Sequence, residues 1–107
     1  MTSHLTTHIL NATSGSPAPG VAVRLLGPGG DEIARGVTDD DGRLGLGPET
    51  LGPGHYSLVF DTGSYFATLG VEAFYPWVTV AFTVAVRPHY HVPVLLSPFA
   101  YSTYRGS

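Results

Sequence analysis

The chain has 107 residues, the size of one domain, which argues against a multidomain enzyme with a cleft between lobes. Five Lys and Arg against eight acidic residues, net charge −3, leave no basic footprint for nucleic-acid phosphates, and the lack of cysteine excludes disulfide scaffolds, thiolate nucleophiles and sulfur-ligated zinc. Fourteen Gly and nine Pro beside a 43% hydrophobic content favour an all-β domain of short strands.

Met1 to His8 carry neither a basic start nor a long apolar run, and no stretch reaches the length of a membrane span, so the expectation is a soluble, unprocessed, cytoplasmic protein that binds neither membrane nor nucleic acid. Ser3 to Leu10 reads as a first strand, ended by the turn formers Asn11 to Pro17. The triplet Asn11-Ala12-Thr13 fits a glycosylation acceptor by chance frequency alone. Val21 to Leu26 and Glu32 to Val37 form a hairpin across Gly27-Pro28-Gly29-Gly30. Thr38-Asp39-Asp40-Asp41-Gly42 is a second turn, and Arg43 opens a short strand after it.

His55 to Asp61 alternates, with Tyr56, Leu58 and Phe60 on one face. Ser64 to Gly70 breaks that period and predicts a helix of one or two turns, with Ser64 as N-cap and Gly70 after its end. Alternation returns from Trp77 to Val86, the clearest strand in the chain. After the corner Arg87-Pro88, Tyr90, Val92, Val94 and Leu96 share one face while His89, His91, Pro93 and Leu95 share the other. Ala100 to Arg105 completes about eight strands around one helix, for which a two-sheet β-sandwich is the economical arrangement. No internal repeat or linker interrupts residues 1–107, which read as one domain.

Few residues are available for charge-based chemistry. His4 and His8 have even spacing and so share a face, where the plain reading is a solvated strand edge. His89-Tyr90-His91 has a spacing that two zinc ligands can use, but a third ligand is not evident, and exposed pairs of this kind are commoner. Asp39-Asp40-Asp41-Gly42 opens like a calcium loop yet lacks the glutamate at its twelfth position, so a hairpin turn is favoured. Tyr65, Phe66, Phe74, Tyr75 and Trp77 suit core packing better than a ligand-stacking wall.

Three stretches then converge. Leu5 to Leu10, Thr38 to Arg43, and His89-Tyr90-His91-Val92-Pro93-Val94-Leu95-Leu96-Ser97-Pro98 continuing to Tyr104-Arg105-Gly106-Ser107 resemble the 5-hydroxyisourate hydrolases, the transthyretin-like proteins of urate catabolism. The likeness runs in order along essentially the whole chain. It implies a transthyretin-like sandwich, a homotetramer built as a dimer of dimers, active sites in the channel between dimers, and no metal or other cofactor. By the same resemblance His8, Arg43, His91 and Tyr104 stand at catalytic and substrate-contacting positions, with Arg105 and Ser107 as further substrate contacts from the tail. His89 matches the first His of the family's His-Tyr-His and is assigned no chemistry. Trp77 and Phe99-Ala100 depart from the commoner family residues without touching those positions.

The implied reaction opens 5-hydroxyisourate hydrolytically to 2-oxo-4-hydroxy-4-carboxy-5-ureidoimidazoline. Histidine is the side chain suited to move a proton from and to water near neutral pH, and a guanidinium matches planar, anionic oxygen acceptors. The competing readings are a transthyretin-type carrier sharing the fold, a structural or adhesion module resembling the first half only, and a zinc hydrolase using His4, His8, His89 and His91.

Overall fold

The computed structural model describes residues 3–107. Nine strands and one helix follow in order: β1 (Leu5–Asn11), β2 (Ser16–Pro17), β3 (Ala22–Leu26), β4 (Glu32–Val37), β5 (Arg43–Leu46), β6 (Gly54–Phe60), α1 (Thr62–Thr68), β7 (Val78–Val84), β8 (Tyr90–Ser97) and β9 (Ala100–Thr103). They build two sheets. One runs β2-β1-β8-β9 with β5 also paired to β1, and the other runs β4-β3-β6-β7. This is the predicted sandwich, with the two-residue β2 as an additional element.

The core follows from period-2 patterning. Leu5, Thr7 and Ile9 of β1, Val23 and Leu25 of β3, Leu58 and Phe60 of β6, and Val94 and Leu96 of β8 lie between the sheets. Fully burying each large aliphatic or aromatic side chain stabilises by about 1.5–3 kcal/mol relative to exposure. The buried polar groups are matched: the Thr7 hydroxyl donates to the Val92 carbonyl at 2.6 Å, and Asn11 Nδ2 donates to the Tyr65 hydroxyl at 3.2 Å. Among the described residues no buried side-chain nitrogen or oxygen lacks a partner.

Two pairings of β1 position the site. Its partner on one side is β8, parallel, with Thr6 opposite His91 and His8 opposite Pro93. On its other side β5 runs antiparallel, with His8 opposite Arg43, until β2 takes over at Leu10. The turn between β4 and β5 lies at that changeover, where Ile9 N–H donates to the Gly42 carbonyl at 2.8 Å.

The helix begins at Thr62 and is capped by Asp61, whose side chain accepts from Ser64 N–H, so Asp61 rather than Ser64 is the N-cap. Gly70 follows its end at φ +69° as predicted. The aromatics divide: Tyr65 and Phe66 are buried, whereas Phe74 and Trp77 are largely exposed, and Phe74, Tyr75 and Tyr101 form an edge-to-face row.

His4 corrects the expectation of a solvated edge. It precedes β1 rather than belonging to it, and it is buried. Leu51 N–H donates to His4 Nδ1 at 2.8 Å, which makes Nδ1 an acceptor and leaves Nε2–H to donate to the Arg87 carbonyl at 2.6 Å. The imidazole is thus held as a neutral crosslink between two loops, edge-on to Tyr90.

Candidate active site

The outer face of the β5-β1-β8 strip gathers the polar side chains. Alternation turns Leu5, Thr7 and Ile9 inward and therefore Thr6 and His8 outward, and the same period on β8 turns Val92 and Val94 inward and His91 outward. Register then sets Arg43 beside His8 and His91 beside Thr6. A cavity of about 190 Å³ lined by Thr6, Thr7, Asp39, Arg43, Leu44, Gly45 and His91 opens on this face. Residues from the two ends and the middle of the chain are thereby neighbours.

The turn before β5 fixes Arg43 through its backbone. Asp39 Oδ1 accepts from the backbone N–H groups of Asp41 and Arg43, each at 2.9 Å. The segment is therefore the predicted hairpin turn. His8 Nε2 lies 2.9 Å from the Asp41 carbonyl, which can only accept, so Nε2 carries a proton and Nδ1 of the neutral ring keeps its lone pair. Among the described residues the ion pairs are those of Glu32 with Arg24 and Arg35, which leaves the Arg43 guanidinium without a carboxylate partner.

His91 is half-buried, and its imidazole is held below the ordinary range. Desolvation by burial is the largest cause, followed by the positive charge of Arg43 and then His89 and His8, while a hydrogen bond with the Thr6 backbone acts the other way. Register, strand face and the shared cavity thus bring together three of the four principal residues named by the resemblance, His8, Arg43 and His91.

Tyr104 and Arg105 join it through His91. A second cavity of about 300 Å³, lined in part by His91, Thr103, Tyr104, Arg105 and the β7 residues Val80 to Thr83, adjoins the first at His91. Neither Tyr104 nor Arg105 lines the cavity that holds Arg43, and Ser107 is exposed and lines neither. The tail is pinned by Gly106, whose N–H donates to the His91 carbonyl at 2.8 Å in an isolated bridge.

At Gly106 the tail passes close against the His91 ring. A Cβ there would lie 2.5 Å from His91 Cδ2 and 3.1 Å from Pro93 Cγ, so an alanine lifts the tail from the imidazole. Gly106→Ala is expected to lower turnover about 10- to 100-fold, since such misplacement is costly to catalysis, while changing stability by no more than about 1 kcal/mol. Steady-state kinetics beside thermal denaturation checks this, and unchanged turnover would free the tail from any part in the site.

The residue that sequence reasoning missed is Thr6. Its Oγ1 stands 2.8 Å from His89 Nε2 and 2.8 Å from His91 Nδ1. Its even spacing from His8 on an alternating strand was the available signal. The His89 and His91 rings lie with centroids 6.5 Å apart and nearly parallel. Both nitrogens of His4 are taken by backbone partners, which removes one ligand from the zinc reading, and among the described residues no group of three or more His, Asp or Glu converges to hold a metal ion.

Comparison with known proteins adds to this geometry. Residues 5–106 match the model of the HIUase/Transthyretin family. A mouse protein named 5-hydroxyisourate hydrolase is 44% identical over 113 residues, covering 98% of this chain and 96% of that one. The structure of Klebsiella pneumoniae 5-hydroxyisourate hydrolase superposes with a TM-score of 0.90 at 39% identity, over 98% of this chain and 94% of that one. Sea bream transthyretin in complex with thyroxine superposes with a TM-score of 0.87 at 32% identity, over 96% of this chain and 94% of that one. With a family model spanning nearly its whole length and the sandwich that such a match requires, the chain belongs to the HIUase/Transthyretin family.

Proposed function

We propose that this chain is a 5-hydroxyisourate hydrolase. The observation that carries the reading is the cluster of His8, Arg43 and His91 on one sheet face, at the positions that resemblance to the hydrolases assigns. Relatives that bear the hydrolase name match across almost the full chain and support it.

The proposed chemistry follows from the side chains present. Water adds to a ring carbonyl of the substrate, forming a C–O bond, as His91 Nε2 or His8 Nδ1 takes the proton that water releases. Arg43, which makes no ion pair among the described residues, forks onto the planar anionic ring and offsets the charge that develops on the carbonyl oxygen. Collapse breaks the ring C–N bond, and the protonated imidazole returns its proton to the leaving nitrogen. Tyr104 orients the ring from the tail, with Arg105 and Ser107 as its outer contacts. No metal or cofactor enters these steps.

The proposal includes the assembly and the place of action. A dimer of dimers would put the outer face of the β5-β1-β8 strip against a channel, and it would cover β9, which ends its sheet with all four residues exposed. Among the described residues no helix is long and apolar enough to cross a membrane. Action in the cytoplasm belongs to the same proposal.

The test generates 5-hydroxyisourate from urate with urate oxidase and follows its ultraviolet decay. Decay faster than the spontaneous rate, and unaffected by chelator, is expected. Decay at the spontaneous rate from folded protein would instead favour a carrier, the reading that the likeness to a thyroxine complex leaves as the alternative.

The pH dependence has a definite sign. A base must be neutral, and His91 is held neutral to lower pH than ordinary histidine, so the acid limb of kcat/KM is expected below about 6.5, the ordinary imidazole pKa. Stability moves in the same sense. The unfolded chain protonates this residue as pH falls through its ordinary value while the folded chain resists, so acid favours unfolding between that value and the lowered one. A kcat/KM profile with its acid limb above that ordinary value would contradict the assignment.

A further inference from the structure

We infer that Thr6 and His89 form a proton relay with His91, in which the Thr6 hydroxyl passes a proton between the two imidazoles and so switches His91 between its base and acid forms. The inference rests on the hydrolase reading and extends it to two residues that the reading leaves idle. Its basis is stoichiometric. Thr6 Oγ1 is 2.8 Å from His91 Nδ1 and 2.8 Å from His89 Nε2, yet a hydroxyl has a single proton to donate.

Two arrangements of neutral rings satisfy both contacts. In the first, His91 Nδ1–H donates to Thr6 Oγ1, and the Thr6 hydroxyl donates to His89 Nε2. His91 Nε2 then holds a lone pair and is a base. In the second, His89 Nε2–H donates to Thr6 Oγ1, the hydroxyl donates to His91 Nδ1, and His91 carries its proton on Nε2 as an acid. When His91 Nε2 accepts the proton of the attacking water, its Nδ1 proton moves to Thr6 Oγ1 and the Thr6 proton moves to His89 Nε2. His91 is left neutral in the acid form and His89 becomes the imidazolium. The reverse movement follows when His91 Nε2–H protonates the leaving nitrogen. Protons and charge balance with no other participant.

The surroundings favour that direction of transfer. A cation on His91 sits half-buried beside Arg43 and His8, with Arg105 on the adjoining cavity and Asp39 the acidic group of its own. His89 is exposed and lines a separate recess with Thr6, Pro88, the neutral His4 and, as its acidic member, Glu49, so its charge faces solvent. The relay therefore leads the proton away from the cavity that holds Arg43.

The test uses Thr6→Val, Thr6→Ser and His89→Gln. Thr6→Val keeps the branched shape and removes the hydroxyl, and is expected to lower kcat at least about tenfold with KM unchanged. Thr6→Ser should recover to within a few-fold, His89→Gln should resemble Thr6→Val, and the double variant should be no worse than either. Nitrogen-15 NMR of the imidazoles gives a readout independent of turnover. In the parent protein each ring should titrate in two coupled steps, and in Thr6→Val each should titrate in one. Independent one-step titrations in the parent, or additive losses in the double variant, would overturn the relay even if hydrolysis is observed. Coupled titration in a protein that leaves substrate decay at the spontaneous rate would uphold the relay and sink the hydrolase reading.

Discussion

His91→Asn is expected to reduce kcat/KM by about a thousandfold, within the range that loss of a positioned acid–base group gives. His91 is the one residue common to the Arg43 cavity and the Tyr104 cavity, and the group on which burial and the neighbouring guanidinium converge. Its side chain points away from the interior and takes no part in the core cluster, so stability should change by no more than about 1 kcal/mol. Asparagine keeps a polar group near the position of Nδ1, which tends to preserve the contact with Thr6 while removing the titrating ring. The assay is substrate decay, with near-ultraviolet circular dichroism to verify the fold. A folded variant within fivefold of the parent would transfer the base role to His8.

Gly42→Ala is expected to cost about 3 kcal/mol, lowering Tm by roughly 10 °C or more, and to abolish most activity. Gly42 has φ +74°, and a Cβ there would meet the Ile9 carbonyl oxygen at 2.4 Å and Ala18 N at 3.0 Å. Both are backbone atoms that cannot rotate aside. Relief requires the turn to leave β1, which breaks the bond from Ile9 N–H to Gly42 and displaces Arg43 and the Asp41 carbonyl that orients His8. Gly20→Ala supplies the control. Gly20 has nearly the same φ, +76°, with nothing within 4 Å, so only the backbone preference is lost, about 1 kcal/mol. Thermal denaturation of the two variants decides the matter, since equal losses would mean that the turn does not depend on its close seat against β1.

The strands were legible because a half-buried strand writes its burial into every second residue. Leu58 and Phe60, or Val92, Val94 and Leu96, announce a face by their spacing alone. The same rule placed His8 and His91 outward. It has no means of seeing which strands become neighbours, since pairing is a property of residues far apart, and the grouping of His8, Arg43 and His91 rested on family likeness alone. His4 escaped because period 2 does not reach past the point where β1 begins, and a side chain outside the ladder owes it no direction. Thr6 escaped because threonine is ordinary in strands, and only the proximity of two imidazoles makes its hydroxyl notable.

The parallel pairing of β1 with β8 carries a consequence for the order in which the molecule folds. Thr6 and His91 are separated by 85 positions, and the intervening chain lays down β3, β4, β6 and β7, which form the opposite sheet. Hairpins such as β3-β4 close short loops and can form early, whereas β1 meets β8 only after the longest loop in the molecule has closed. The reactive face is therefore among the last parts to exist. A nascent or truncated chain lacking β8 keeps the segments that set His8 beside Arg43 but lacks His91, so the site is incomplete until the sandwich closes, and recovery of activity after denaturation times the completion of the fold itself.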